Sequence, residues 1–346
     1  MPSSSDRPVR PRARVLASWL DGWRRALGAP AITAGVLVAT LLAALPLAIA
    51  IGDRVETDLD ASAEAVRAAE GWNAEWAAEF GARAQGVART FTHEIIGFGG
   101  TLATASRFVD AETLDPAIGT AVAGYIAVWL FLWGGILDRF ARQRPIRGAA
   151  FFAACGVFFG RFLRLALLVG PINWALFLWV HPLLFDDAYD WWTRDLTSER
   201  EAAIVRGVLY LVFLALLALV GLVTDFAKIR AVVEDRHSMV GAALASLRFV
   251  RGRLGRLSGL YLLNVVALTL VVAVWSMVAP AATAPPAMSF LLAQIYLLLR
   301  IWTRLALAAA EVSFFQAELA HATYSAAPLP NWPDSPTVEG LRNLTR

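Results

Sequence analysis

The stretch LLLRIWTRLALAAAEVSFFQAELAH, residues 297–321, places charge within an apolar run. Arg300 and Arg304 are one helical turn apart, and Glu311 follows on roughly the same face. Arg300 lies about 15 residues from Pro286, roughly 22 Å along a helix and still inside a bilayer core of ~30 Å. An ionisable group at that depth faces protein or water, or its stem carries the charge out to the headgroups. Acceptors for Arg300 are Glu311, Asp225 at the end of another apolar run, or an open backbone carbonyl. Paired inside, with Gln294 further along, these residues could line a pathway; snorkelling, the arginines would be an anchor.

Other motifs that could carry chemistry are incomplete. HEIIG begins like a zinc-protease helix, but that motif needs a second His at position 97, which is Gly. GFGG lacks the spacing and the strand–helix setting of a dinucleotide loop. In HPLLFDDAYDWWTRDLTSER, His181 near Asp186, Asp187 and Asp190 could hold a divalent cation. Tyr189, Trp191 and Trp192 favour an aromatic belt with a polar rim instead. Cys155 is the single cysteine, which excludes an intrachain disulfide and a CxxC pair, and its apolar surroundings suit an inert buried thiol. His237 and His321 lack a second ligand at helical spacing. No cofactor is expected.

The elements that must position these residues are membrane spans. The chain has 346 residues, 58% of them hydrophobic and 17% charged, against about a quarter charged in soluble domains. A net charge of +3 without a basic, aromatic-interleaved soluble domain gives no reason to expect nucleic acid as a partner. Apart from Lys228 every Lys or Arg is Arg, which suits coding bias. Apolar runs near 30–52, 117–137, 162–181, 204–224, 258–279 and 286–308 are each long enough to cross a bilayer. The first carries an A-x-A at Ala48 and Ala50, but its length and the thirty-residue leader favour an uncleaved anchor. The expected fold is an all-α polytopic bundle of six spans with interfacial elbow helices.

Loop charge alternates. Residues 1–29 carry six Arg and two acids, 138–164 six Arg and one acid, and 225–256 seven basic residues and three acids. Between them, 53–116 has five Arg and twelve acids, and 184–206 has three Arg and six acids. The positive-inside rule then places both termini in the cytoplasm, with a cell's inner membrane as the natural home. Residues 1–29 form a leader, 30–323 the six-span domain, and 324–346 a Pro-rich cytoplasmic tail. The extracytoplasmic segment 53–116 includes a helix with Trp72, Trp76, Phe80, Val87 and Phe91 on one face, its Trp rings suited to the outer interface. The apolar part of the following stretch, 95–105, is too short to span; it reads as a packed helix or a re-entrant turn.

A unit recurs after spans 2 and 4: Asp at the membrane exit (Asp138, Asp225), Phe and Ala, a basic segment, a small-residue helix, then re-entry after Arg. A third version opens the chain at RVLASWLDGWRRALGAP. Over 229–257, Ile229, Val233, Val240, Leu244, Leu247, Leu254 and Leu257 form one apolar stripe. This predicts an interfacial helix with Arg248, Arg251, Arg253 and Arg256 on anionic headgroups, and Glu234, Asp235 and His237 in a solvated charge run.

GAPAITAGVLVATLLAALPLAIAI, FFAACGVFFGRFLRLALL, WVHPLLFDDAYDWWTRDLTSER, FAKIRAVVEDRHSMVGAALASLRFV and NWPDSP together resemble a family of uncharacterised bacterial multi-pass membrane proteins. That resemblance spans nearly the whole chain; it implies the topology above and no activity. More loosely, elbow helix followed by span is similar to the membrane domain attached to some glycerophosphodiester phosphodiesterases, without their catalytic domain. The expected function is a non-enzymatic membrane protein that organises anionic lipids, a protein partner or further copies of itself. A permease with a polar site at Arg300 and Arg304 is the alternative, and a lipid-modifying enzyme the second.

Overall fold

The computed structural model describes residues 14–69, 73–91, 106–107, 109–111, 116–280 and 285–319, and among these every regular element is helical. The helices are α1 (Val15–Leu27), α2 (Pro30–Asp60), α3 (Ala65–Ala69), α4 (Ala74–Arg83), α5 (Pro116–Arg142), α6 (Gly148–Ala175), α7 (Tyr189–Thr193), α8 (Glu199–Val233), α9 (Met239–Arg251), α10 (Leu254–Val278) and α11 (Pro286–Glu318). Six helical runs, α2, α5, α6 with its continuation, α8, α10 and α11, are long and apolar enough to cross a membrane. Large apolar side chains such as Leu42, Leu211, Leu262 and Phe290 stand exposed along them, the surface expected of helices that face lipid. The chain is a multi-pass helical membrane bundle.

Its core lies at one end. Ile136 and Phe140 of α5, Phe226 and Ile229 of α8, Phe249 and Val250 of α9, and Phe314 and Phe315 of α11 are all buried there. The basic loops converge on this end: Arg139 donates to the Gly28 carbonyl (3.1 Å), and Gln316 to that of Ala141 (3.0 Å). α1 closes it, lying on α11, with Trp19, Trp23 and Trp302 in consecutive ring contact at 4.6 and 4.4 Å. Asp21 accepts from Ser313 (2.6 Å) and Arg25 (2.8 Å), while Arg25 also donates to the Phe140 carbonyl (3.0 Å) and Gln316 (2.9 Å).

Three local details differ from the sequence expectation. The 138–164 connection holds no separate elbow. Gln143, in the left-handed region at φ 53°, and Pro145 end α5, after which α6 starts at Gly148 and continues through the small-residue segment. With Pro171 tolerated and π-type turns at Leu176–Val180 and Leu183–Ala188 around Pro182, the helical run reaches Thr193. In the 225–256 connection, by contrast, Asp235 at φ 51° breaks the helix, and Ser238 caps α9 by accepting from the Gly241 amide (3.2 Å). The stripe proposed for 229–257 is therefore divided. Ile229 and Val233 are core residues of α8, Leu257 is buried on α10, and Val240, Leu244 and Leu247 line the outer face of α9.

At the opposite, acidic end, Asn73 caps α4 by accepting from the Glu75 and Trp76 amides. Trp76 and Phe80 are buried against Val55 and Leu59 of α2 rather than facing outward, and the Trp76 indole donates to Asp58 (3.0 Å). Trp72, the side chain of Val87, the 95–105 segment, His321 and the 324–346 tail lie outside the described residues.

Candidate functional site

The residues singled out for chemistry separate into two neighbouring arrangements joined by Arg304. The Arg304 guanidinium sits 3.9 Å above the Trp129 ring and 5.6 Å from Trp133, both on α5. Trp129 and Trp133 are in contact at 5.3 Å, one helical turn apart, and Lys228 from α8 lies 4.5 Å above Trp133. Electron-rich ring faces attract both cations where water is scarce. Arg300 is exposed and lies 5.5 Å from the Tyr296 ring, itself stacked on Trp275 (4.7 Å). Neither Arg300 nor Arg304 is in ion-pair distance of a carboxylate among the described residues.

Arg300 and Arg304 both line a cavity of about 370 Å³ between α2, α5 and α11, with Thr40, Ala43, Leu47 and Tyr125 among its walls. Its walls include the exposed Ala44 and Val122 on the outer surfaces of α2 and α5. Its volume lies in the ~300–1,000 Å³ range of small-molecule sites. Across Arg304 lies a second cavity of about 110 Å³, lined by Trp133, Asp225, Lys228 and Glu311. There Asp225 pairs with Lys228 (2.6 Å) and accepts from the Tyr261 hydroxyl (3.0 Å), which also lies 2.5 Å from a Glu311 oxygen. Glu311 is 3% exposed.

The structure brings Asp225 and Glu311 together through Tyr261, and Arg304 beside them, but leaves Arg300 apart. Both arginines are exposed; the Trp pair holds Arg304, and not Arg300, against α5. Sequence reasoning did not identify Tyr261 and Lys228. A hydroxyl inside the aliphatic run LSGLYLLN, and the single lysine three residues after Asp225, were the available signals.

The four arginines expected on headgroups divide two and two. Arg248 and Arg251 are exposed. Arg253 (2.6 Å) and Arg256 bind Glu318 at the end of α11 and stack over Phe249 and Phe314. Nor are the other charges of this connection a solvated run. Glu234 pairs with Arg230 (2.8 Å) and Arg236, and Asp235 with Arg161 of α6 (2.6 Å). Arg161 also donates to His237 Nε2 (3.1 Å), whose Nδ1 then carries the proton donated to the Asp235 carbonyl (3.0 Å).

At the acidic end His181 donates to the Val109 carbonyl (2.8 Å) and packs on Phe177, Phe185 and Phe213, which accounts for its nitrogen without a cation. No group of three His, Cys, Asp or Glu suited to a metal occurs among the described residues. Hydrogen bonds from Tyr210, then Ser106, hold the Asp110 carboxyl below its ordinary range. Cys155 is buried, its thiol 3.8 Å from the Leu132 carbonyl. In comparisons with known proteins, no family model, curated protein or solved structure matches the chain.

Proposed function

We propose that this protein is a multi-pass inner-membrane protein, its termini cytoplasmic, that holds the anionic headgroup of a lipid-like amphiphile in the cavity between α2, α5 and α11. The observation that carries this reading is that Arg300 and Arg304 line one apolar-walled cavity while neither has a carboxylate partner among the described residues. A guanidinium at membrane depth costs about 2.5–3.5 kcal/mol even on lenient scales, and the Asp225 charge that Arg304 feels across the small cavity is already paired with Lys228. A phosphate-type monoanion supplies a counter-charge, and Thr40, Ala43 and Leu47 offer apolar wall for acyl chains. The alternation of loop charge supports the orientation, and exposed Arg248 and Arg251 on α9 suit the anionic cytoplasmic leaflet. Organisation of lipid, rather than its chemical conversion, fits a site with cations and aromatic faces and, among the described residues, no assembled nucleophile.

Native mass spectrometry of the detergent-purified chain with added phosphatidylglycerol, phosphatidylcholine or inorganic phosphate tests the reading. Phosphatidylglycerol should bind in preference to phosphatidylcholine. Arg304→Gln should weaken that binding about tenfold, and Arg300→Gln by less. Equal retention of the two lipids, or binding unaffected by Arg304→Gln, overturns the proposal; competition by millimolar inorganic phosphate would assign the site to a soluble anion.

A permease is the second reading, favoured by the position of Arg304 as a shared wall of both cavities. Flux of an anion into liposomes, lost in Arg304→Gln, would select it over a static lipid site.

A further inference from the structure

Tyr261 has one hydroxyl hydrogen, yet its oxygen lies within hydrogen-bond distance of two carboxyl groups, Glu311 at 2.5 Å and Asp225 at 3.0 Å. An ionised carboxylate only accepts, so a single O–H satisfies one of the two. The other contact is a hydrogen bond when that carboxyl carries a proton and donates it to the tyrosine oxygen. Asp225 has a cation against it, Lys228 at 2.6 Å, which stabilises its ionised form. Glu311 is 3% exposed, and no cation is in ion-pair distance of it among the described residues. Burying a second bare carboxylate there would cost far more than burying a neutral acid. The arrangement consistent with every contact is a chain in which Glu311 donates to Tyr261, Tyr261 donates to Asp225, and Asp225 pairs with Lys228.

We propose that Glu311, Tyr261 and Asp225 form an intramembrane proton-binding site in which Glu311 is a carboxylic acid, and that the 110 Å³ cavity is the route by which its proton exchanges. That cavity has room for several waters and is lined by Asp225, Lys228, Arg304 and Glu311, a polar wall that can hold them. Release breaks the Glu311 O–H bond, leaves the electron pair on the carboxylate, and passes the proton to a cavity water and on to bulk base; uptake is the reverse. The charged and titratable groups facing the site are Asp225 and Lys228 of α8, Tyr261 of α10, and Arg304 of α11 itself. α5 presents the Trp133 ring and Leu137. Asp21 and Arg25 of α1 bind Ser313 and Gln316 on a different face of α11. The proton site does not depend on the lipid reading, since it rests on contacts of the protein alone.

Infrared spectroscopy of the full chain in liposomes at neutral pH decides it. Wild type should show a protonated-carboxyl C=O stretch that Glu311→Gln removes, and that shifts when the membranes are equilibrated in D2O. Loss of carboxylate bands alone in Glu311→Gln overturns the assignment, and a band that never shifts in D2O overturns the cavity route. If Glu311→Gln does not fold, Tyr261→Phe keeps both carboxyls and should displace the same band by removing its acceptor; an unmoved band overturns the bridge.

Discussion

Gly22 of α1 lies directly against Ala310 of α11: a Cβ at position 22 would stand 2.5 Å from both the Ala310 backbone nitrogen and its Cβ. The obstacle is partly backbone, which cannot rotate away as a side chain can. Gly22 therefore sets how closely the amphipathic N-terminal helix seats on the helix that carries Arg304 and Glu311. Gly22→Leu should destabilise the detergent-purified protein by at least the ~1–3 kcal/mol typical of overpacking, read as a fall in Tm. An unchanged Tm would mean that α1 is not seated as described. By contrast Gly35→Ala, inside α2 with open space around its Cβ, should not lower Tm.

Glu318 holds both Arg253 and Arg256 at the joint between α9 and α10. Glu318→Gln leaves two half-buried cations competing for a neutral amide. The loss should be about 1–3 kcal/mol, below that of a fully buried pair because both guanidiniums retain some solvent. Arg248→Gln with Arg251→Gln, both exposed, should spare Tm and reduce the preference of the protein for anionic vesicles. A Tm loss from that double variant, or none from Glu318→Gln, would reverse the division of roles between these four arginines.

The helical spans were legible because a bilayer demands a long apolar run whatever the neighbours do, and each of the six expected runs lies, to within one residue, inside a helical run. Where the spans begin and end was less so. Asp225 looked like an exit residue, but α8 continues to Val233 because the helices packed around it bury Phe226, Ile229 and Val232. Asp225 and Glu311 were both recognised as candidates, and Glu311 was grouped with Arg300 by helical phase. Their actual link, Tyr261, sits on a third helix, and no periodicity within one helix reports which residue of another faces it. Arg161 with Asp235 and His237 escaped notice for the same reason, their contact spanning α6 and the α8–α9 joint.

The topology expected from charge alternation can be checked apart from any ligand. Reporter fusions after residues 90 and 195 should report the outside, and fusions after 145, 240 and 346 the cytoplasm. An outside signal at 240 would sink the orientation, because 225–256 carries seven basic residues against three acids.

Arg304 should not be replaceable by lysine. Its guanidinium lies 3.9 Å over Trp129, and a Lys ammonium would keep the charge without the broad planar contact or the bidentate fork that a guanidinium can offer. Phosphatidylglycerol binding by Arg304→Lys should fall about fivefold, equivalent to ~1 kcal/mol of lost cation–π and fork geometry. Full retention would reduce the site to a point charge.

The two cavities meet at Arg304, so proton and anion should be linked. With Glu311 protonated, Arg304 has no carboxylate rival in the small cavity beyond Asp225, which Lys228 already holds at 2.6 Å. When Glu311 loses its proton, a new negative charge lines the same cavity as Arg304 and competes with the bound phosphate. Affinity for phosphatidylglycerol should therefore fall as pH rises through the ionisation of Glu311. By linkage, bound lipid should hold the proton on Glu311 to higher pH. Glu311→Gln, an isostere of the neutral acid, should bind as tightly as wild type at low pH and keep that affinity as pH rises. Native mass spectrometry or vesicle titration across a pH series reads both. A wild-type profile that is flat while the infrared band of Glu311 titrates would separate the two cavities, leaving the proton site intact and the coupling refuted. A sloping profile that persists in Glu311→Gln would move the titrating group elsewhere and refute the coupling through Glu311.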